Sequence, residues 1–183
     1  MAIEIELKAW VDDRTALRAK LEKFGRFVGA YQKDDEYWRP REEGSRETAG
    51  SGVRIRRTGT GPAIVTFKIK EVRDGMEVND EREFEVSEAE TFSELLTRLG
   101  LSPWIRKRKV GEAWDLDGIT AELSLIEGLG VFAELEILAE SDDSHTVASA
   151  RKRLLDALEQ LGLPKEKIES RYYTEMLDEK RKR

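Results

Sequence analysis

Glu4, Glu6 and Lys8 alternate with Ile3, Ile5 and Leu7 in the run IEIELK. Successive side chains of an extended chain point to opposite faces, so the two carboxylates and the ammonium share one face. The pattern recurs along the chain. Arg54 and Arg56 stand opposite Val53 and Ile55, and Thr66, Lys68 and Lys70 opposite Val65, Phe67 and Ile69. Glu83 and Glu85 alternate with Phe84 and Val86, Glu122 and Ser124 with Leu123 and Leu125, and Glu134 and Glu136 with Leu135 and Ile137. In IRKRK, parity counted from Ile105 selects Arg106 and Arg108; Lys107 and Lys109 are the other option.

Carboxylates clustered without histidine or cysteine suit a hard divalent cation such as Mg²⁺, Mn²⁺ or Ca²⁺. Clustered arginine and lysine suit a phosphate-rich anion, arginine through bidentate geometry. A cavity offering both fits a metal-bound polyphosphate. That is the apparatus of phosphoryl or nucleotidyl transfer, where catalysis is mostly positioning and charge neutralisation.

Any one of these strands is satisfied by a sheet with one face in water. Together they say more. The non-apolar face is almost purely ionised, acidic and basic strands are distinct, and three amphipathic helices are available for the apolar face. These features point to a sheet closed on itself with a charged interior. Charges in such an interior must be paired or bind something.

The elements follow from periodicity. Residues 2–10 read as a strand. DDRTALRAKLEKFG reads as a helix capped by Asp12 or Asp13, with Leu17, Leu21 and Phe24 on its apolar stripe. RFVGAYQKDDEYW is extended, and 40–52 reads as a mobile loop. A second helix starts at a capping box of Ser87 with Glu90 and turns Phe92, Leu95, Leu96 and Leu99 inward, ending at Gly100. A third carries Val147, Leu154, Leu158 and Leu161 along one side. PKEKIESRYYTEML predicts a short last helix or turn pair, and 179–183 a frayed tail.

Composition narrows the function further. Of 183 residues 38% are charged, well above the roughly 25% of an ordinary domain, yet the net charge is only −6. That balance argues against generic nucleic-acid binding, which favours a basic excess. There is no cysteine and one histidine, His145, so thiolate and multi-histidine metal sites are excluded, and any metal rests on carboxylates. His145 reads as a surface or capping residue, and the four tryptophans as packing, with one available to stack on a substrate ring. No apolar run approaches the ~20 residues of a membrane span, and the N-terminus lacks a signal-peptide core. A cytoplasmic protein with a small-molecule partner is expected.

EIELK (Glu4, Glu6, Lys8) resembles the N-terminal signature of the CYTH superfamily, the triphosphate tunnel metalloenzymes. DEYW (35–38), VRIR (53–56), TFK (66–68), REFEV (82–86) and IRKR (105–108) resemble later family strands in the same order. IEGLGVFAELEI (126–137) is the most specific match, and SRYYTEML (170–177) resembles the C-terminal element. The resemblance implies one α+β domain over 1–183: a closed antiparallel barrel of roughly eight strands, helices packed outside, and a tunnel for a triphosphate and Mg²⁺ or Mn²⁺. By position Glu4, Glu6, Glu134 and Glu136 lead as metal ligands, with Glu83 and Glu85 in support. Lys8, Arg54, Arg56, Lys68, Arg106 and Arg108 would hold phosphate oxygens. Glu4, Glu6, Lys8, Glu134 and Glu136 form the implied catalytic set. One departure is Ser124, where the family often carries an acid; the sequence leaves open whether Glu122 substitutes for it. The activity implied is a metal-dependent triphosphatase; a class IV-like adenylyl cyclase and a non-catalytic polyphosphate-binding module are the alternatives. An exposed barrel wall would allow a homodimer.

Overall fold

The computed structural model describes residues 3–41, 51–59, 61–73 and 76–183, without the side chains at 51, 68–71, 73, 80 and 81. In chain order the elements are β1 (Ile3–Trp10), α1 (Arg14–Phe24), β2 (Arg26–Pro40), β3 (Ser51–Arg57), β4 (Ala63–Arg73), β5 (Met76–Val86) and α2 (Ala89–Arg98). There follow β6 (Leu101–Asp115), β7 (Thr120–Ile126), β8 (Gly130–Ala139), α3 (Ser144–Gln160), a 3-10 turn (Lys165–Lys167) and α4 (Tyr173–Arg181). Of the loop expected over 40–52, residues 42–50 lie outside the described residues.

The strands close into an antiparallel barrel in the order β1-β5-β4-β3-β2-β6-β7-β8. Closure is made by β1 against β8, where Glu6 stands opposite Glu136 and Lys8 opposite Glu134. Four steps around the eight-strand ring from β1 lies β2, with β3 beside it, so β1 and β8 face β2 and β3 across the lumen.

The apolar faces of β1 and β8 turn outward and are largely covered by helices, whereas Phe67 on β4, Phe84 on β5 and Leu125 on β7 stay exposed. Ile5, Leu7, Leu135 and Ile137 pack with Leu154 and Leu158 of α3, and Leu17 and Leu21 of α1 join the same core. Fully burying one such side chain is worth roughly 1.5–3 kcal/mol, so this cluster holds the barrel wall to its helices. α1 starts where Asp13 accepts from the Ala16 N–H at 2.9 Å. α3 starts where Asp143 accepts from the His145 and Thr146 N–H groups; His145 itself is exposed.

Three expectations change. α2 begins after Glu88 with no side-chain cap, so the Ser87–Glu90 capping box does not form. Leu96 is buried and Phe92 half-buried, but Leu95 and Leu99 are exposed, because α2 rests on a narrow patch of Trp38, Ile55, Ala63 and Val65. Gly100 ends α2 at φ 86°, a left-handed conformation that favours glycine.

α4 is the third change. It does not lie on the outer wall; it closes one end of the barrel, burying Tyr173 and Met176 against inward-facing Ile126 and Phe132. The Tyr173 ring meets the Phe132 ring edge-on at 5.0 Å. Residues 179–181, expected to fray, are its last turn, pinned where Arg181 donates to Asp178 at 2.7 Å and to the Trp104 carbonyl at 3.0 Å. Among the described residues no helix is long and apolar enough to cross a membrane.

Candidate active site

The barrel encloses a cavity of about 270 Å³, lined by both signs of charge. On the β1–β8 wall, Glu4, Glu6 and Glu136 each bring a carboxylate oxygen within 4.8 Å of the others. Register causes this: Glu6 and Glu136 are cross-strand partners, and Glu4 lies one inward position along β1. Like charges opposite one another destabilise a sheet, a cost that a cation between them offsets. Three half-buried carboxylates without nitrogen or sulfur donors fit a hard divalent cation.

The facing wall is basic. Arg54 donates to Thr66 Oγ1 at 2.8 Å and to Glu83 Oε1 at 2.9 Å. Arg56 grips Asp35 in bidentate fashion, at 2.7 and 3.0 Å. Lys107 lies 3.2 Å from the same carboxylate. Burial alone would raise the Asp35 carboxyl, but Lys107 and Arg56 outweigh it and hold the group well below the usual carboxylate range. Glu122 behaves likewise: burial is outweighed by Lys109 and Lys33, the latter at 2.6 Å. Lys33 itself is drawn down, by burial first and then by Lys109. Lys109 is pushed the other way, since Glu134 and Glu122 overcome its burial.

The structure sorts the sequence candidates. Glu4, Glu6, Arg54, Arg56, Glu83 and Glu136 line the cavity as expected. Glu134 also lines it but stands apart from the three-carboxylate cluster. It accepts from Lys109 at 2.6 Å and from the Tyr173 hydroxyl at 2.8 Å. Burial, and next the charge of Glu134, raises the Tyr173 phenol far above its ordinary value, so it stays a neutral donor. Ser124, fully buried, reaches Glu134 at 3.4 Å. Glu122 faces inward, in phase with Ser124 and opposite Leu123, and is engaged by two lysines. Lys8, 2% exposed, is bonded to Glu77 beneath the lining, with the Tyr173 ring 5.4 Å from its ammonium. Glu85 is exposed and outside the cavity lining. Lys68 lies on β4 opposite Glu81, and its side chain falls outside the described residues.

Arg106 and Arg108 are a correction. They point outward, 84% and 52% exposed, and pair with Glu36 and Asp34. Lys107 and Lys109 face the lumen instead. Ile105, taken from its apolar character as outer wall, is buried on the inner side in phase with the two lysines. A register shift accompanies this: Tyr37 pairs with Ile105 but Trp38 with Pro103, leaving Trp104 as an extra, bulged residue.

Asp35, Lys33 and Glu77 were missed as site residues. Glu77 carried a usable signal, since it alternates with Met76 and Val78. Lys33 and Asp35 did not, because the outward neighbours Gln32, Asp34 and Glu36 are polar too, which leaves β2 no apolar face to count from.

Comparison with known proteins agrees with this architecture. A Methanocaldococcus jannaschii protein named "Putative adenylate cyclase MJ0240" is 27% identical over 175 residues, covering 95% of this chain and 98% of that protein. The structure of PH1819 from Pyrococcus horikoshii superposes with a TM-score of 0.83 at 28% identity, over 97% of this chain and 99% of that one. HpAC1 of Hippeastrum, a protein with a dominant triphosphatase activity, superposes with a TM-score of 0.68 over 98% of this chain and 95% of its own; at 18% identity it shows the shared fold alone. Residues 2–173 match the CYTH domain, and the chain belongs to the CYTH family.

Proposed function

We propose that this protein is a divalent-metal-dependent triphosphatase. One observation carries the reading: the Glu4–Glu6–Glu136 cluster faces Arg54 and Arg56 across a closed barrel. The cavity lies just below the roughly 300–1,000 Å³ of ordinary small-molecule sites, which suits a compact polyphosphate chain. Glu4, Glu6 and Glu136 would hold Mg²⁺ or Mn²⁺, which when bound supplies charge neutralisation at phosphate oxygens.

The remaining work belongs to the chain. Arg54 and Arg56 present guanidinium N–H groups to equatorial phosphate oxygens, with Lys33, Lys107 and Lys109 adding charge around them. Their acidic partners keep these donors aimed before substrate arrives, so little reorganisation is left for the reaction itself. Tyr173, neutral and buried, fixes Glu134 and so the inner end of the site. The barrel wall and α4 limit water to what the lumen admits.

A second reading is favoured by the adenylate cyclase name of the M. jannaschii relative. The same walls would hold ATP while the ribose 3′-hydroxyl attacks the α-phosphorus and pyrophosphate leaves. Product analysis separates the two. Purified protein is incubated with Mg²⁺ or Mn²⁺ and, in turn, inorganic triphosphate, thiamine triphosphate and ATP. Orthophosphate release is expected. Cyclic AMP with pyrophosphate would transfer the assignment to a cyclase, and binding without turnover would leave a polyphosphate-binding module.

A further inference from the structure

Charge does not account for the whole cavity lining. Trp104, Tyr37 and Tyr172 line it beside the exposed Arg39. The face of an aromatic ring is the negative part of its quadrupole, so phosphate oxygens gain nothing from these faces. Trp104 is the extra residue of the β6 bulge, and bulges beside sites commonly re-aim a side chain. Its ring is fixed: the indole Nε1 donates to Asp178 Oδ1 of α4 at 3.2 Å. Its backbone is fixed as well, by the bond from Arg181. The Arg39 guanidinium lies over the ring, 4.9 Å from the centroid. A cation held over the indole marks the face that a flat π-system would take.

We propose that Trp104, with Arg39, is a specificity-determining platform that seats the planar heteroaromatic group of an organic triphosphate. The inference rests on the triphosphate reading above and narrows its substrate class. The phosphates lie among Arg54, Arg56 and the three carboxylates, and the ring stacks on the indole as Arg39 swings off it. Stacking on an aromatic face tolerates many rings, so the platform selects for a flat ring at the end of the triphosphate and not for one base.

Titration calorimetry of the whole protein tests this, with ATP and inorganic triphosphate each added in Ca²⁺, an ion the same oxygen ligands accept. The readout is the ratio of the two affinities. Wild type is expected to favour ATP, Trp104→Ala to lower the ratio about tenfold, the scale of one lost stack, and Trp104→Phe to restore most of it. A ratio unchanged in Trp104→Ala, or a wild type that favours inorganic triphosphate, overturns the platform while leaving the triphosphate reading standing. A folded wild type that binds neither ligand overturns both.

Discussion

Lys109 and Glu134 form a buried ion pair at 2.6 Å between the β6 and β8 walls of the barrel, the lysine side chain 4% exposed and the glutamate 12%. The same ammonium also holds Glu122. One cation therefore ties two carboxylates that would otherwise repel in a low-dielectric interior. Removing one partner of a buried pair costs about 3–5 kcal/mol. Lys109→Met is expected to destabilise on that scale in urea unfolding. Adding Glu134→Gln should recover part of the loss, because one uncompensated charge is gone. Equal stability of wild type and Lys109→Met would show that the pair contributes nothing.

The three-carboxylate cluster predicts where a metal sits. Glu6→Gln and Glu136→Gln should each weaken Mn²⁺ binding at least about tenfold, the order expected for losing a charged ligand-site interaction, as read by electron paramagnetic resonance. Glu85→Gln, at an exposed position outside the cavity lining, should leave Mn²⁺ affinity within about twofold. Equal losses in all three would place the ion elsewhere.

The phase of β6 separates two pairs of basic residues. Lys107→Ala should weaken inorganic triphosphate binding about tenfold, the scale of a hydrogen bond to a charged group. Arg106→Ala and Arg108→Ala, whose side chains sit in solvent, should change it less than about twofold. Calorimetry on the three variants reads this directly; the opposite ranking would reverse the inward phase of the strand.

Acid titration should expose the Asp35 network. The folded carboxyl is held well below its unfolded value of roughly 3.9, despite burial, by Lys107 and Arg56. A depressed carboxyl contributes stability that is fully present above the unfolded value and is lost as pH falls toward the folded one. Glu122 adds a contribution of the same sign. Stability from urea unfolding should thus be flat above about pH 5 and fall steadily below about pH 4. Asp35→Asn should reduce the slope of that fall. A slope identical to wild type would mean that Asp35 does not carry it.

Much of this architecture was legible because apolar and ionised residues alternate cleanly on β1, β3, β4, β7 and β8. Where the outer face is continuously apolar, as with Ile5 and Leu7 under α3, parity locates Glu4 and Glu6 without ambiguity. It failed on β6, where parity was counted from Ile105, which sits inside next to a bulge, and not from Val110, which is exposed on the same phase as Arg106 and Arg108. It gave nothing on β2, where both faces are polar. Pairing within the lumen was equally out of reach: Glu134 and Glu136 look alike in sequence, yet one accepts from Lys109 and Tyr173 while the other joins Glu4 and Glu6. The closing role of α4 was hidden too, because an amphipathic helix carries no mark of which surface it will cover.

The pairing of tunnel cations with tunnel acids has a thermodynamic consequence. Arg54, Arg56, Lys33, Lys107 and Lys109 each already hold a carboxylate. A bare polyanion entering this lumen competes with resident acids for the same donors, and a bare metal ion enters beside ammonium groups. Each charge is compensated when both arrive. Metal and triphosphate should therefore raise one another's affinity by the same factor, as linkage requires, so that the protein answers to the complex of the two more than to either alone.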